Sequence, residues 1–193
     1  MLDKRDLDLI RKKVEAFDMA RDKVIAESRE VVKLSKRIIY SLHRDDKKDA
    51  SAHLASIQKA MQRLDKAVPA DSKLRTQGSF KVAVQEYVEA VCFFKLLHTN
   101  KIPTHTQLKV DPEYYLLGLI DLVGELVRRA INSAIKGDYN SSVRLKDLVS
   151  ELYDQLLLFD FSGGELRKKF DSIKYDLKKL EDLVLNLKLS SKI

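Results

Sequence analysis

The stretch VAVQEYVEAVCFFKLL, Val82 to Leu97, places acidic side chains where a helix would bury apolar ones. In helical geometry, steps of four and three residues put Glu86 and Glu89 on one stripe with Phe93. The neighbouring stripe is wholly apolar. Two carboxylates one turn apart beside an apolar seam are close enough to share a hard cation or to perturb each other's proton affinity. The alternative is that they form the charged edge of an amphipathic helix.

Composition favours a helical protein with one core. The 193 residues are enough for a sizeable core, and no shift in composition suggests a second, so we expect a single domain over residues 1–193. Only six Gly and three Pro occur among many Leu, Lys, Glu, Asp and Ala, which is typical of an all-α fold. The single cysteine, Cys92, lies on an apolar helix face, which predicts a buried thiol and no disulfide or cysteine-based zinc site.

The balance of charge permits a polyanionic partner. The formal net charge is +7, from 36 basic and 29 acidic residues, and nucleic acid is the commonest polyanion bound by basic helical proteins. The first residues, MLDKRDLDLI, carry acids and do not resemble a signal peptide. Because no run of about twenty uncharged apolar residues occurs, nothing should span a membrane. We therefore expect a soluble, cytoplasmic protein.

Apolar periodicity predicts a bundle of six to seven helices. Pro69 and Pro103 interrupt it, and Asp111 followed by Pro112 marks a helix start. The segment Ser162–Glu165 matches a capping box at the start of the last helix. The predicted helices cover approximately residues 6–43, 50–68, 71–98, 112–137, 141–159 and 166–187.

Two of these helices carry long apolar seams. A first helix of 38 residues would extend about 57 Å, which is long for a small domain. Its seam consists of Leu7, Ile10, Val14, Phe17, Val24, Val31, Ile38 and Leu42. The seam of the last helix consists of Leu166, Phe170, Ile173, Leu177, Leu180, Val184 and Leu187. A chain of this size should not cover both along their full lengths, so we expect self-association into a homo-oligomer.

A second acidic pair lies on the fourth predicted helix. Asp121 and Glu125 are four residues apart in an otherwise apolar segment, and Gly124 between them would let a backbone or ligand approach. If the third and fourth predicted helices are antiparallel neighbours, this pair could face Glu86 and Glu89. The alternative is that all these acids form ion pairs with Lys and Arg of adjacent helices.

The chemistry of this acidic set favours a hard metal ion. Four carboxylates without histidine or thiolate suit Mg²⁺ or Mn²⁺ and not Zn²⁺. Clustered acids that hold a divalent metal are what phosphodiester hydrolysis requires. The motifs GxSxG, HExxH, GxGxxG and the P-loop are absent. The four histidines are scattered, and we expect each to be a surface residue or a neighbour of phosphate.

Five segments, in order along most of the chain, resemble the translin family, and within it the translin-associated factor X branch. They are LSKRIIYSLHR (34–44), QEYVEAVCF (85–93), EYYLLGLIDLVGEL (113–126), RRAINSAIKGDY (128–139) and LRKKFDSIKYDLKKLEDLV (166–184). The last segment is closer to translin itself. The approach to the third helix, SKLRTQGSF (72–80), does not match the branch's histidine-containing segment, which puts RNA contacts there in question.

The resemblance implies both an activity and a set of site residues. Glu86, Glu89 and Asp121 match the proposed catalytic acids of the branch, and Glu125 stands where a further acid lies close by. The implied function is a Mg²⁺-dependent endoribonuclease, with Mn²⁺ as a substitute, that acts on single-stranded RNA inside an octameric shell. Translin proper lacks the acids of the QEYVEA segment, so the alternative is a non-catalytic scaffold that binds RNA or DNA. A helical assembly protein without a nucleic-acid role is a third hypothesis.

Basic residues near the end of the first helix are candidate RNA contacts. Lys36, Arg37 and Arg44 lie within the matched segment 34–44, beside a turn that adds further lysines. We predict that they neutralise phosphates of the RNA backbone. The alternative is that they form an ordinary solvated basic face.

Overall fold

The computed structural model describes residues 2–69 and 72–193, and within them it contains seven α-helices and no strand. The all-α prediction is therefore confirmed. The helices are α1 Lys4–His43, α2 Lys47–Ala67, α3 Gly78–Thr99, α4 His105–Leu108, α5 Pro112–Ile135, α6 Tyr139–Leu157 and α7 Gly164–Leu189. The expected start of the third helix near Asp71 falls outside the described residues, and a 3₁₀ turn, Lys73–Thr76, precedes α3.

Local capping explains where the helices begin. The carboxylate of Asp111 accepts a hydrogen bond of 2.8 Å from the backbone N–H of Glu113, as predicted for the start of α5. The predicted capping box at Ser162–Glu165 is wrong. Gly163 is the N-cap of α7 and makes no side-chain hydrogen bond. Gly164 has a φ of +79°, so the chain enters the helix by a glycine-dependent turn beyond Ser162.

The helix α3 lies at the centre of the bundle, which explains its apolar sequence. It packs against α1 on one side and α5 on the other, and α5 in turn packs against α6 and α7. Ten consecutive residues of α3, from Tyr87 to Leu96, are buried except for Lys95, which is partly buried. The single thiol, Cys92, is fully buried, and burial raises its pKa to about 12.

The helices α3 and α5 are neighbours that run in the same direction, so the antiparallel arrangement considered for them from the sequence does not occur. Near their starts, the rings of Phe80 and Tyr114 lie 6.3 Å apart. Near their ends, His98 and Arg129 line one cavity. The connector allows this because twelve extended residues reach about 40 Å, whereas the 22 residues of α3 rise about 33 Å. Residues 100–111 carry the chain back to the start of α3, partly through the short helix α4.

Gly118 sets the distance between α3 and α5. A Cβ at this position would lie 2.6 Å from Cβ of Val88 and 2.8 Å from the carbonyl oxygen of Gln85. Only glycine therefore permits this close approach. Gly124, expected to serve that purpose, faces open space, because a Cβ added there would have no neighbouring atom within 4 Å.

The chain covers one apolar seam and leaves part of the other exposed. In α7, five of the seam residues are buried and the other two are partly buried. In α1, the first four seam residues remain exposed: Leu7 at 42%, Ile10 at 48%, Val14 at 54% and Phe17 at 38%. We call these four residues the N-terminal overhang. No helix in the described ranges is long and apolar enough to cross a membrane.

Candidate functional site

The predicted acids of α3 and α5 converge on one side of the bundle. Glu86, Glu89 and Glu125 line a cavity of about 290 Å³, which we call the acidic cavity. Its other lining residues are Lys36, Ile39, Tyr40 and Arg128. Asp121 lies beside it and raises the pKa values of both Glu86 and Glu89 by charge repulsion. The parallel packing of α3 and α5 therefore brings together all four acids that the sequence singled out.

Glu89 is the most perturbed of these acids. Its side chain is buried, with 8% of the residue exposed. Burial, followed by repulsion from Asp121, Glu86 and Glu125, raises its pKa to about 8. Burial likewise raises the pKa of Glu86, although the charge of Lys36 opposes that shift. At neutral pH, Glu89 is therefore mostly protonated when no cation is bound beside it.

Basic side chains already contact two of the four acids. Nζ of Lys169, on α7, lies 2.9 and 2.8 Å from the two carboxylate oxygens of Asp121 and 3.4 Å from Oε1 of Gln85. Glu125 is hydrogen-bonded to His43 Nε2 and lies 3.6 Å from the guanidinium of Arg128. The ion-pair alternative thus holds for Asp121 and Glu125.

His43 is buried, contrary to the expectation that it lies at the surface. The last turn of α1 packs against α3, where the His43 ring is 5.2 Å from the ring of Phe93. Its Nδ1 is buried without a hydrogen-bond partner among the described residues. Sequence reasoning missed His43 and Lys169 as site residues. Each lies within a segment that carried the family resemblance, and this was the one signal that could have found them.

The donor set fits a hard cation in its chemistry, because carboxylate oxygens are the ligands that Mg²⁺ prefers. In the conformation described for residues 2–69 and 72–193, however, no three His, Cys, Asp or Glu side chains are arranged around a common metal position. In this conformation the carboxylate of Asp121 contacts Lys169 and that of Glu125 contacts His43. Binding of an ion would require two changes. The carboxylate of Asp121 would have to turn away from Lys169, and Glu89 would have to lose its proton.

The three basic residues predicted to contact RNA are all exposed. Lys36 lines the acidic cavity and also a larger groove of about 640 Å³ between α1 and the start of α3, which we call the α1–α3 groove. Arg37 lines the groove but not the acidic cavity. Arg44 lies at the end of α1, where its guanidinium is 5.4 Å from the centre of the Tyr40 ring. The three residues therefore follow one edge of α1 and do not meet at a single point.

Similar sequences come from translins and their partner proteins. Residues 19–191 match the model of the translin family. Translin of Gallus gallus is 29% identical over 154 residues, covering 72% of this chain and 67% of the relative. Translin-associated protein X of Rattus norvegicus is 25% identical over 209 residues, covering 87% of this chain and 72% of the relative. An uncharacterised protein of Methanocaldococcus jannaschii is 30% identical over 181 residues, covering 89% and 80%.

Solved structures share the whole fold. The crystal structure of apo-NeC3PO superposes with a TM-score of 0.87 at 26% identity, covering 96% of this chain and 97% of that one. The AfC3PO–duplex RNA complex superposes with a TM-score of 0.84 at 23% identity, with coverage of 96% and 97%. Since the family model matches nearly the full length and the fold agrees from end to end, the chain belongs to the translin family.

Proposed function

We propose that this protein is a Mg²⁺-dependent endoribonuclease that cleaves single-stranded RNA within a closed homo-oligomer, an octamer by analogy with the family. The observation that carries the proposal is the convergence of Glu86, Glu89 and Glu125 at one cavity, with Asp121 beside them and basic side chains at the edge of the cavity. A scaffold that only binds RNA has no need for four mutually repelling carboxylates at such a position.

The four acids and the two neighbouring cations would have different roles in the reaction. A divalent ion, when bound, supplies an activated water and stabilises charge on the leaving oxygen. Glu86, Glu89, Asp121 and Glu125 would hold it. Glu89 must release its proton for this, because its pKa of about 8 keeps it mostly neutral otherwise. Lys36 and Arg128, at the edge of the cavity, attract the phosphate backbone towards the acids.

Relatives and charge support RNA as the substrate. The similar AfC3PO was solved as a complex with duplex RNA, and this chain has a net charge of +7. The exposed N-terminal overhang supports assembly, since an apolar stripe on a long helix is covered most simply by another copy. In a closed shell, basic side chains of several copies would face one cavity, so that their fields add.

Cleavage of labelled single-stranded RNA, with Mg²⁺ or with EDTA, tests the proposal. We expect cleavage with Mg²⁺ or Mn²⁺ and none with EDTA. Glu89→Gln and Asp121→Asn should each reduce the rate at least about 100-fold, because loss of an outer-shell partner of a metal site alone costs about 10- to 100-fold. Glu181→Gln, at an exposed position of α7, is the matched control and should retain full activity.

Metal binding can also be measured without cleavage. Because Glu89 must lose a proton, Mg²⁺ should raise the melting temperature more at about pH 8.5 than at about pH 6. Glu89→Gln should abolish most of that increase. Salt-dependent RNA binding without cleavage in either metal would instead indicate a scaffold like translin. Absence of any RNA binding would support the third hypothesis, a helical assembly protein without a nucleic-acid role.

A further inference from the structure

Lys169 reaches the acids from α7 and has no role in the chemistry described so far. Its Nζ donates to both carboxylate oxygens of Asp121, at 2.9 and 2.8 Å, and lies 3.4 Å from Oε1 of Gln85. Its charge also opposes the rise in the pKa of Glu89, so the ammonium lies within electrostatic reach of a second acid. Lys169 therefore engages both oxygens of a carboxylate that the proposed ion would need.

Apolar contacts hold the start of α7 in place without this ion pair. Phe170, next to Lys169, is buried, and its ring lies 5.5 Å from the ring of Tyr153 and 5.2 Å from that of Phe161. The carbonyl oxygen of Lys169 accepts a hydrogen bond of 2.6 Å from Oγ of Ser172. The backbone at Lys169 is therefore fixed by its neighbours, whereas the flexible four-carbon side chain can move its ammonium group.

The ion pair is open to solvent and easily exchanged. The side chains of Lys169 and Asp121 are each 30% exposed. A single pair with this exposure adds little to stability, because water competes for both charges. A divalent ion has twice the charge of an ammonium and can be shared by several carboxylates, so its binding would displace Lys169 from Asp121.

A phosphate is the group that suits the displaced ammonium. Asp121 and Glu89 belong to the proposed metal site, so a strand that is cleaved there carries its scissile phosphate within reach of Lys169. The non-bridging oxygens of that phosphate share a negative charge, which spreads over them in the transition state. A Lys ammonium has three N–H donors and can form charge-assisted hydrogen bonds to such oxygens.

We propose that Lys169 exchanges partners: its ammonium contacts Asp121 in the metal-free protein and a non-bridging oxygen of the scissile phosphate once an ion and RNA are bound. The inference rests on the proposed function, in which it makes Lys169 a catalytic residue. During hydrolysis the oxygen of water bonds to phosphorus as the bond to the leaving ribose oxygen breaks. The water releases one proton to solvent and the leaving oxygen takes one from solvent. Lys169 transfers no proton, and its charge stabilises the phosphate oxygens.

The exchange predicts that removal of the ammonium strengthens cation binding. Lys169→Met keeps a long side chain without the charge, and we expect it to bind Mn²⁺ about three- to tenfold more tightly, because nothing competes for Asp121. Electron paramagnetic resonance of free Mn²⁺ measures this without RNA. Lys168→Met, at the exposed neighbouring position, is the matched control and should bind within about twofold of the unaltered protein. Equal or weaker Mn²⁺ binding by Lys169→Met would overturn the exchange.

The phosphate contact can be measured without cleavage by RNA binding in Ca²⁺. This ion takes carboxylate ligands but is a poor catalyst of phosphodiester hydrolysis, because it polarises bound water weakly. In Ca²⁺, the slope of log affinity against log salt should be shallower for Lys169→Met than for the unaltered protein by about 0.7, the value for one phosphate contact on a single strand. In EDTA the two slopes should agree, since Lys169 is then paired with Asp121. Equal slopes in Ca²⁺ would contradict the contact.

Cleavage at saturating Mg²⁺ separates a catalytic role from simple neutralisation of Asp121. Lys169→Met should lose about 100-fold in maximal rate, as is typical when one group that stabilises transition-state charge is removed. Lys169→Arg keeps the charge and should lose less than about tenfold, and Lys168→Met should cleave at the full rate. A full or increased rate for Lys169→Met would show that Lys169 only neutralises Asp121, which would overturn the proposal.

These measurements separate the two proposals. An unaltered protein that never cleaves RNA, combined with the expected Mn²⁺ affinities and the expected slopes in Ca²⁺, contradicts the nuclease and supports the exchange of partners. Conversely, Mg²⁺-dependent cleavage combined with unchanged Mn²⁺ affinity, slope and rate in Lys169→Met supports the nuclease and overturns the exchange.

Discussion

At the scale of single residues, the protonation of Glu89 couples stability to pH. In the unfolded chain its pKa is near 4.5, and in the native protein burial and neighbouring carboxylates raise it to about 8. Between these values the native state binds a proton that the unfolded state has lost. Its contribution to stability is therefore fully present below about pH 4.5 and is lost as the pH rises through about 8.

Glu89→Gln should remove this dependence, because the amide cannot ionise. Thermal unfolding between about pH 5 and about pH 9, without metal, should show the melting temperature of the variant above that of the unaltered protein at the alkaline end, by at least a few degrees. The difference should shrink towards the acidic end. Glu181→Gln, on the exposed face of α7, should follow the unaltered protein. Parallel curves for Glu89→Gln and the unaltered protein would show that Glu89 is ionised throughout.

Lys36, Arg37 and Arg44 can be tested as phosphate contacts by their effect on salt dependence. Replacing all three by Ala should weaken binding of every RNA sequence and flatten the slope of log affinity against log salt by about 2, since each lost contact on a single strand removes about 0.7. The control replaces an equal number of exposed lysines towards the end of the chain. These are Lys178, Lys188 and Lys192. An unchanged slope for the first variant would show an ordinary solvated basic face.

At the scale of helices, the close approach of α3 and α5 at Gly118 aligns the acids. Gly118→Ala would force Cβ against Val88, and we expect a loss of about 1–3 kcal/mol in the free energy of unfolding with reduced cleavage. Gly124→Ala, on the same helix but in open space, should stabilise the protein by up to about 1 kcal/mol. Denaturant unfolding of the two variants measures both effects. Equal free energies of unfolding for Gly118→Ala and Gly124→Ala would show that α3 and α5 can move apart without loss of stability.

The helices themselves could be predicted from sequence, but their directions could not. Apolar periodicity reports which face of α3 is buried, and it placed Glu86 and Glu89 correctly beside that face. It carries no information on whether α5 runs parallel or antiparallel, because a connector of about twelve residues permits both. Lys169 was missed because its partner, Asp121, is 48 residues away in the sequence. No short sequence motif marks either residue as a member of an ion pair. Gly118 was missed because the neighbour that requires it belongs to another helix.

At the scale of the whole molecule, the N-terminal overhang predicts assembly. Replacing Leu7, Ile10, Val14 and Phe17 by Ser should leave the bundle folded, since all four are exposed, but should convert the oligomer to smaller species. Native mass spectrometry or light scattering measures this. Leu189→Ser, at another exposed apolar position, is the control. A stable, active monomer of the unaltered protein at micromolar concentration would refute the shell and the claim that cleavage occurs inside it.

Because Cys92 is buried, the rate at which its thiol reacts with a reagent can report how often the centre of the bundle opens. A disulfide reagent such as dithiobis(nitrobenzoate) cannot reach a fully buried sulfur, and a pKa of about 12 leaves almost no thiolate to react. Because the sequence contains no second cysteine, the yellow product would report one event only, the exposure of α3. In excess reagent its rate equals the rate of opening when modification outpaces reclosing. Cys92 lies three residues after Glu89, so ligands that stabilise α3 should slow the labelling of Cys92. Labelling within seconds would show instead that the centre of the bundle opens freely.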